Sequence, residues 1–308
     1  MELSLLLMEQ ILELFLIMLA GFFIVKLHLL KDSDSRIVSL IVLYLVIPCA
    51  ILESFSIEYT KETLLGLALA AAAAIVIQIL FILITTLLSK IFSFDGIEQA
   101  TLIYPNCGNL IIPLVGAVLG DEWVIYSFGY MATQTVLMWT HCINLISGRR
   151  DYKLKNIFLN VGVISILAGV CLFIFQIALP DPLMSVIGKL GDMMGPLSML
   201  VIGMLIGGMN LKEVFTKPKI YLITVLRLLV LPLIAVLLLK ISGAARLLPD
   251  AEQILLITVM AACAPAAANV TQFAQLYNKD SAYAGMLNVV TVIFSIVTMP
   301  FIIAVCQL

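Results

Sequence analysis

The chain has 308 residues, of which 63% are hydrophobic and only 12% are charged. Because an ordinary soluble domain is about half apolar and about a quarter charged, this composition excludes a soluble enzyme, a disordered chain and a nucleic-acid-binding protein. A net charge of −2 gives no attraction to polyanions either. The remaining class is an all-α polytopic membrane protein, with room for about ten helices at about 20 residues per crossing.

Long apolar runs separated by charged or turn-forming residues predict ten membrane spans. The runs are continuous rather than alternating, which favours helices over the strands of a barrel. The first run is interpreted as a retained helix, because no basic segment precedes it and no small-residue cleavage site follows it. The predicted spans are 4–26, 36–56, 64–89, 97–119, 121–147, 154–179, 182–208, 218–241, 252–276 and 281–306.

The distribution of basic residues predicts the orientation of these spans. Of the 17 Lys and Arg residues, 12 lie in the odd-numbered loops and 4 in the even-numbered loops. Since cytoplasmic loops carry the excess of positive charge, the odd loops are expected in the cytoplasm and both termini outside. The expected location is the plasma (inner) membrane.

Helix-breaking residues divide the chain into two five-helix repeats, 1–150 and 151–308. Pro48 in span 2 has a counterpart in Pro196 in span 7. The polar break at 104–109 in span 4 has a counterpart at 263–269 in span 9. An odd number of helices per repeat makes the two repeats face opposite ways, so the pattern predicts an inverted repeat with discontinuous helices 4 and 9.

These breaks predict an anion site. Proline removes a backbone donor, and neighbouring Asn and Gly favour unwound backbone. Each break ends one half-helix and begins another, whose N-terminus carries unpaired N–H groups and partial positive charge. A carboxylate is a natural ligand there, and irregular backbone at that depth is tolerated only where it is buried or lines a cavity.

Several short elements follow one another along the chain: Pro105-Asn106 with Pro113, Gly195-Pro196 running into Gly203–Gly207, Arg227 followed by Leu231-Pro232, and Ala264-Pro265. In these elements and their order the sequence resembles the auxin efflux carrier family, whose bacterial members include malonate-type carriers. The resemblance covers nearly the whole chain.

The resemblance implies a fold similar to bile-acid symporters and sodium/proton antiporters. Spans 4 and 9 would form a crossover beside the substrate. Spans 1, 2, 6 and 7 would form a scaffold that mediates a homodimer, and spans 3–5 and 8–10 a transport domain that moves as an elevator. Asn106 matches the position that approaches the substrate carboxylate, and Pro105 and Pro265 match the crossover prolines.

Seven polar or helix-breaking residues are predicted to contact the substrate. Asn106 and Asn109 also suit the role of satisfying broken backbone, and a helix-packing hydrogen bond is the simpler interpretation of Gln134. The seven candidates are Pro105, Asn106, Asn109, Gln134, Pro265, Asn269 and Gln272.

Two charged residues are candidates for coupling or conformational roles. Arg227 lies deep inside span 8, where a charge is costly and usually faces the protein interior or water. A salt bridge, or a bond to carbonyls at a helix C-terminus, are the alternatives for it. Glu13 on span 1 lies one turn from Glu9, and the pair is a candidate coupling-proton site; for Glu9, near the outer surface, a water-facing side chain is the alternative. His141, near the cytoplasmic end of span 5, is a further titratable candidate, and the favoured interpretation is a solvated side chain.

The predicted function is therefore secondary transport of a small mono- or dicarboxylate by alternating access. The partners are the substrate anion and the lipid bilayer, with coupling to protons, sodium or membrane potential left open. The alternative is a sodium-coupled symporter of the bile-acid type. No catalytic set, cofactor motif or metal-ligand spacing appears. The six cysteines are predicted to be small buried hydrophobic residues, and Gly203 and Gly207 a helix-packing face.

Overall fold

The computed structural model describes residues 2–57, 60–108, 110–148, 161–209 and 217–306, which are predominantly helical. Three π-helical segments, Val42–Val46, Met138–Cys142 and Leu226–Val230, each join two successive α-helices. In chain order the α-helices are α1 (Glu2–Lys26), α2 (Ser35–Ile41), α3 (Ile47–Ser54), α4 (Lys61–Phe92), α5 (Gly96–Ile103), α6 (Ile111–Leu119), α7 (Asp121–Leu137), α8 (Ile143–Ser147), α9 (Val161–Phe175), α10 (Asp181–Gly191), α11 (Met194–Gly207), α12 (Pro218–Val225), α13 (Leu231–Ser242), α14 (Ala251–Cys263), α15 (Ala268–Leu276) and α16 (Ser281–Cys306).

The protein is a multi-pass membrane protein. Within the described residues, five helical stretches are long and apolar enough to cross a membrane by themselves. The five are Asp32–Ser54, Lys61–Phe92, Asp181–Gly207, Pro218–Ser242 and Ser281–Cys306. Large apolar side chains on these stretches point outward, among them Leu83 and Val297, as a lipid-facing surface requires.

Prolines explain two of the three π-helical segments. Pro48 has no N–H to donate to the carbonyl of Tyr44, and Pro232 has none for that of Leu228. Both carbonyls lie within π-helical segments, where the hydrogen-bond ladder is displaced by one residue. The helix axis therefore continues through each proline, and the second of these segments contains Arg227.

Helix α1 packs along α11 at very short range. A side chain at Gly203 would overlap the backbone oxygen of Met18, and one at Gly207 would meet Val25. The predicted packing role of these glycines is thereby confirmed. Of the six cysteines, five are buried as predicted, but the prediction is wrong for Cys171, which is exposed because it faces outward from α9.

Most of the helices pack in two sets. In one set α3 contacts α9 and α10, and α11 contacts α2 as well as α1. In the other set α4, α7 and α14 pack on one another, and α16 packs on α12, α14 and α15. The two interruptions, between α5 and α6 and between α14 and α15, lie where these sets meet.

Candidate functional site

The two helix interruptions are hydrogen-bonded to each other. The backbone N–H of Asn106 donates to the carbonyl of Pro265 at 2.7 Å, and that of Ala267 donates to the carbonyl of Tyr104 at 2.9 Å. Together they make a single antiparallel bridge between Pro105 and Ala266. Backbone groups that the breaks remove from helices thus satisfy one another in the protein interior.

Local sequence explains why the helices stop at these points. A proline disfavours helical backbone in the residue before it, and Tyr104 and Ala264 are both extended, with ψ of 108° and 154°. Helix α5 accordingly ends at Ile103 and α14 at Cys263. Two extended segments buried side by side can then pair as short strands do.

Two side-chain amides brace the bridge, one from each half of the chain. Gln134 on α7 donates from Nε2 to the Pro105 carbonyl at 2.7 Å, and Asn288 on α16 donates from Nδ2 to the Ala266 carbonyl at 2.7 Å. The hydroxyl of Thr291 accepts from the Ala266 N–H at 3.1 Å. Gln78 on α4 donates to the Gln134 side-chain oxygen at 3.2 Å.

Arg227 lies next to the bridge and is completely buried. Its guanidinium donates to the carbonyls of Leu102 at 3.1 Å, Ala262 at 2.9 Å and Ala264 at 2.8 Å. It also lies over the Phe81 ring, 5.7 Å from the ring centroid. Of the alternatives for this residue, the structure shows the bond to carbonyls at helix C-termini.

A cavity of about 120 Å³ is lined by residues of both breaks but not by Arg227. None of the described residues that line it is charged. Its walls come from the bridge region, from α7 and α15, and from helices α2, α9 and α11. The lining residues are Ser39, Val42, Ile47, Pro105, Asn106, Cys107, Gly108, Met131, Gln134, Thr135, Met138, Trp139, Gly162, Ser198, Val201, Ile202, Ala267, Ala268, Asn269 and Gln272.

The side chain of Asn106 lines this cavity and carries a buried hydrogen-bond donor. It is 5% exposed, yet its Nδ2 has no hydrogen-bond partner among the described residues. Because a buried donor without a partner is costly, such a group is rare unless a ligand or a water satisfies it. Asn106 also lines a second, smaller cavity together with Pro265.

The structure brings most of the predicted substrate-contacting residues together. Asn269 and Gln272 line the main cavity from α15, with Ala268 in the first turn of that helix. Asn109 lies outside the described residues. Glu13 is exposed on α1 and lines neither cavity, so the structure does not bring it to the site.

Three residues of the site were not predicted from the sequence: Gln78, Asn288 and Thr291. Polar side chains inside the apolar spans 3 and 10 were the available signal. The interpretation of His141 as solvated is wrong, because it is partly buried and its Nδ1 lies 2.8 Å from the hydroxyl of Tyr104. Since the Tyr104 carbonyl takes part in the bridge, Tyr104 connects His141 to the site.

Comparison with known proteins agrees with this architecture. The family model described as membrane transport protein matches residues 6–157 and again residues 152–303, so the two matches together cover nearly the whole chain. No curated protein matches the chain. Such a family indicates a transporter rather than an enzyme. The chain therefore belongs to the membrane transport protein family, the family of the auxin efflux carriers.

Proposed function

We propose that this transporter is a secondary carrier of small organic anions, mono- or dicarboxylates, which bind in the cavity beside the paired breaks. The observation that carries the proposal is the buried amide nitrogen of Asn106, which lines the cavity and has no described partner. A carboxylate oxygen supplies the acceptor that this donor lacks, and hydrogen bonds to a charged group are the stronger kind.

The electrostatics of the cavity favour an anion. Helix α15 begins at Ala268, and its first residues, Ala268 and Asn269, line the cavity. A helix N-terminus presents backbone N–H groups and partial positive charge. No described lining residue carries a negative charge, so none of these side chains repels a carboxylate by its charge.

The size of the cavity favours a small substrate. Pockets for drug-sized ligands occupy roughly 300–1,000 Å³, whereas this cavity measures about 120 Å³. A short mono- or dicarboxylate suits such a volume, and a rigid amphipathic steroid does not. Cavity size therefore argues against the alternative of a bile-acid-type symporter.

The helix packing supports an elevator mechanism in a ten-span inverted repeat. One wall of the cavity comes from spans 2, 6 and 7, through residues such as Ser39, Gly162 and Ser198. The opposite wall comes from the breaks in spans 4 and 9 and from span 5. We assign spans 1, 2, 6 and 7 to a scaffold, which also forms a homodimer, and the remaining spans to the moving transport domain.

The orientation follows from the basic loops. Ser39 lies near the start of predicted span 2 and Gln272 near the end of predicted span 9. With both termini outside the plasma membrane, these two ends face the cytoplasm. The cavity then lies on the cytoplasmic side of the bridge, and the structure corresponds to an inward-facing state.

The test is a thermal-shift screen of the purified protein against small carboxylates, including malonate. A carboxylate that raises the apparent Tm of the wild type should bind Asn106→Ala about 10- to 150-fold more weakly, the equivalent of one lost hydrogen bond to a charged group. The control is Asn278→Gly, an exposed asparagine with φ of 53° that lines neither cavity. Equal affinities for wild type and Asn106→Ala would refute the proposed contact.

A further inference from the structure

The three carbonyls that Arg227 binds share one structural feature. Leu102 lies in the last turn of α5, Ala262 lies in the last turn of α14, and Ala264 directly follows α14. Carbonyls at a helix C-terminus lack intrahelical partners and carry partial negative charge. We call the backbone oxygens of Leu102, Ala262 and Ala264 the carbonyl triad.

A convergent set of such oxygens is a cation site. In transporters with broken helices, the C-terminal ends of half-helices and the unwound carbonyls coordinate the coupling cation, while the N-terminal ends face an anionic substrate. Here the guanidinium of Arg227 binds all three oxygens at 2.8–3.1 Å. A sodium ion needs direct contact with several oxygens, so it has no access to a triad that already accepts these N–H donors.

The charge on Arg227 is balanced by dipoles and not by an acid. Among the described residues, none of the carboxylates forms an ion pair with it. The guanidinium also lies over the face of the Phe81 ring. The pair of breaks thus holds a fixed positive charge at Arg227. The same pair of breaks lines the cavity with Ala267 and Asn106.

We propose that Arg227 permanently occupies the position of a coupling cation, so that anion binding and transport by this protein are independent of sodium. The inference depends on the proposed function for its transport part, and on the carbonyl triad alone for its structural part. Arg227 acts as a positioning residue, because it holds the two half-helix ends through which Asn106 and α15 are placed.

The first experiment uses the wild type. Its apparent Tm, and the shift caused by any carboxylate that stabilises it, are measured in sodium, potassium and N-methylglucamine chloride at equal ionic strength. Both quantities should be the same in the three salts. A sodium-specific rise in Tm, or a carboxylate shift seen only in sodium, would overturn the proposal.

The second experiment empties the triad. Arg227→Ala should have a lower Tm than the wild type, and low-millimolar methylguanidinium should raise the Tm of this variant by about 2–4 °C. The same additive should leave the wild type and Lys240→Ala unchanged, since Lys240 is an exposed cation at the end of α13. A folded Arg227→Ala that gains no more than these controls would contradict the cation site.

Two further measurements test whether Arg227 positions the anion site or only stabilises the fold. In Arg227→Ala, carboxylate binding should be lost and should return when methylguanidinium is present, as expected if the cation organises the anion site. Arg227→Lys, which keeps the charge but cannot fork across three oxygens, should retain part of the binding and should not respond to methylguanidinium. If Arg227→Ala does not fold, the wild-type salt series and Arg227→Lys still decide the question.

Failure of the proposed function gives a different pattern. If none of the carboxylates stabilises the wild type, the anion assignment fails, while the methylguanidinium response of Arg227→Ala still tests the triad. If a carboxylate binds but requires sodium, the anion assignment stands and the role of Arg227 as a resident cation is wrong.

Discussion

The hydrogen bond from Gln134 to the bridge allows a quantitative prediction of how much stability the protein loses without it. Substitution Gln134→Leu keeps a side chain of similar size but removes both the amide donor and the side-chain acceptor. The donor now binds the Pro105 carbonyl at 2.7 Å, and the acceptor binds the Gln78 amide at 3.2 Å. Both Gln78 and Gln134 are buried, so the partners left behind have little access to water.

The expected cost follows from these two lost bonds. An unsatisfied buried polar group costs about 1–3 kcal/mol, and hydrogen bonds between membrane helices average nearer 0.6 kcal/mol because alternative partners are found. Gln78 has a flexible side chain and can find such a partner, whereas the Pro105 carbonyl is fixed in the bridge. We therefore expect a loss of about 1–3 kcal/mol, a fall in Tm of about 2–6 °C.

The assay is thermal unfolding of the detergent-solubilised protein at a fixed scan rate, combined with carboxylate titration. The control is Thr133→Val on the same helix, because the Thr133 hydroxyl donates to the Gly129 carbonyl within that helix and not to the bridge. Carboxylate binding should weaken in Gln134→Leu and persist in Thr133→Val. If the two variants had the same Tm and the same affinity, the bracing role of Gln134 would be refuted.

Two more predictions concern packing and topology. Gly203→Val places a side chain against the backbone oxygen of Met18 and should lower stability by about 3 kcal/mol or more, measured as loss of the folded peak in size exclusion; Gly243→Asn, in open space at φ of +68°, should keep that peak. In intact cells that express a variant without exposed native cysteines, a cysteine placed at Leu247 should react with a membrane-impermeant maleimide. A cysteine placed at Ser93 should not react. The reverse labelling pattern would show that the predicted orientation is inverted.

The breaks were predictable because they are encoded locally. Pro105 and Pro265 each interrupt an otherwise apolar run, and the conformational restriction that proline imposes depends on its neighbours alone. The polar residues around them, Asn106 and Asn269, line the cavity as expected. Sequence position alone was therefore enough to predict that these residues lie together at the cavity, since each of them lies close to a proline in the chain.

Apart from Gln134, which the sequence analysis included among the candidates, the bracing residues were not predictable in the same way. Asn288 is far from Ala266 in sequence, and a single Asn in an apolar span usually indicates a packing hydrogen bond between helices. The cost of burying Arg227 was evident from the sequence, but its partners were not. Backbone carbonyls leave no trace in the sequence, so only the folded chain shows which of them Arg227 binds.

The polarity of the paired breaks supports the proposal that the site binds an anion and not a cation. Each break produces one negative helix end and one positive helix end. The negative ends, at Leu102 and Ala262, are occupied by the guanidinium of Arg227. The positive end of α15 and the amide of Asn106 remain directed at the cavity. Because Arg227 already binds the negative helix ends, the helix end left facing the cavity is positive, and this is the physical basis for proposing an anionic substrate.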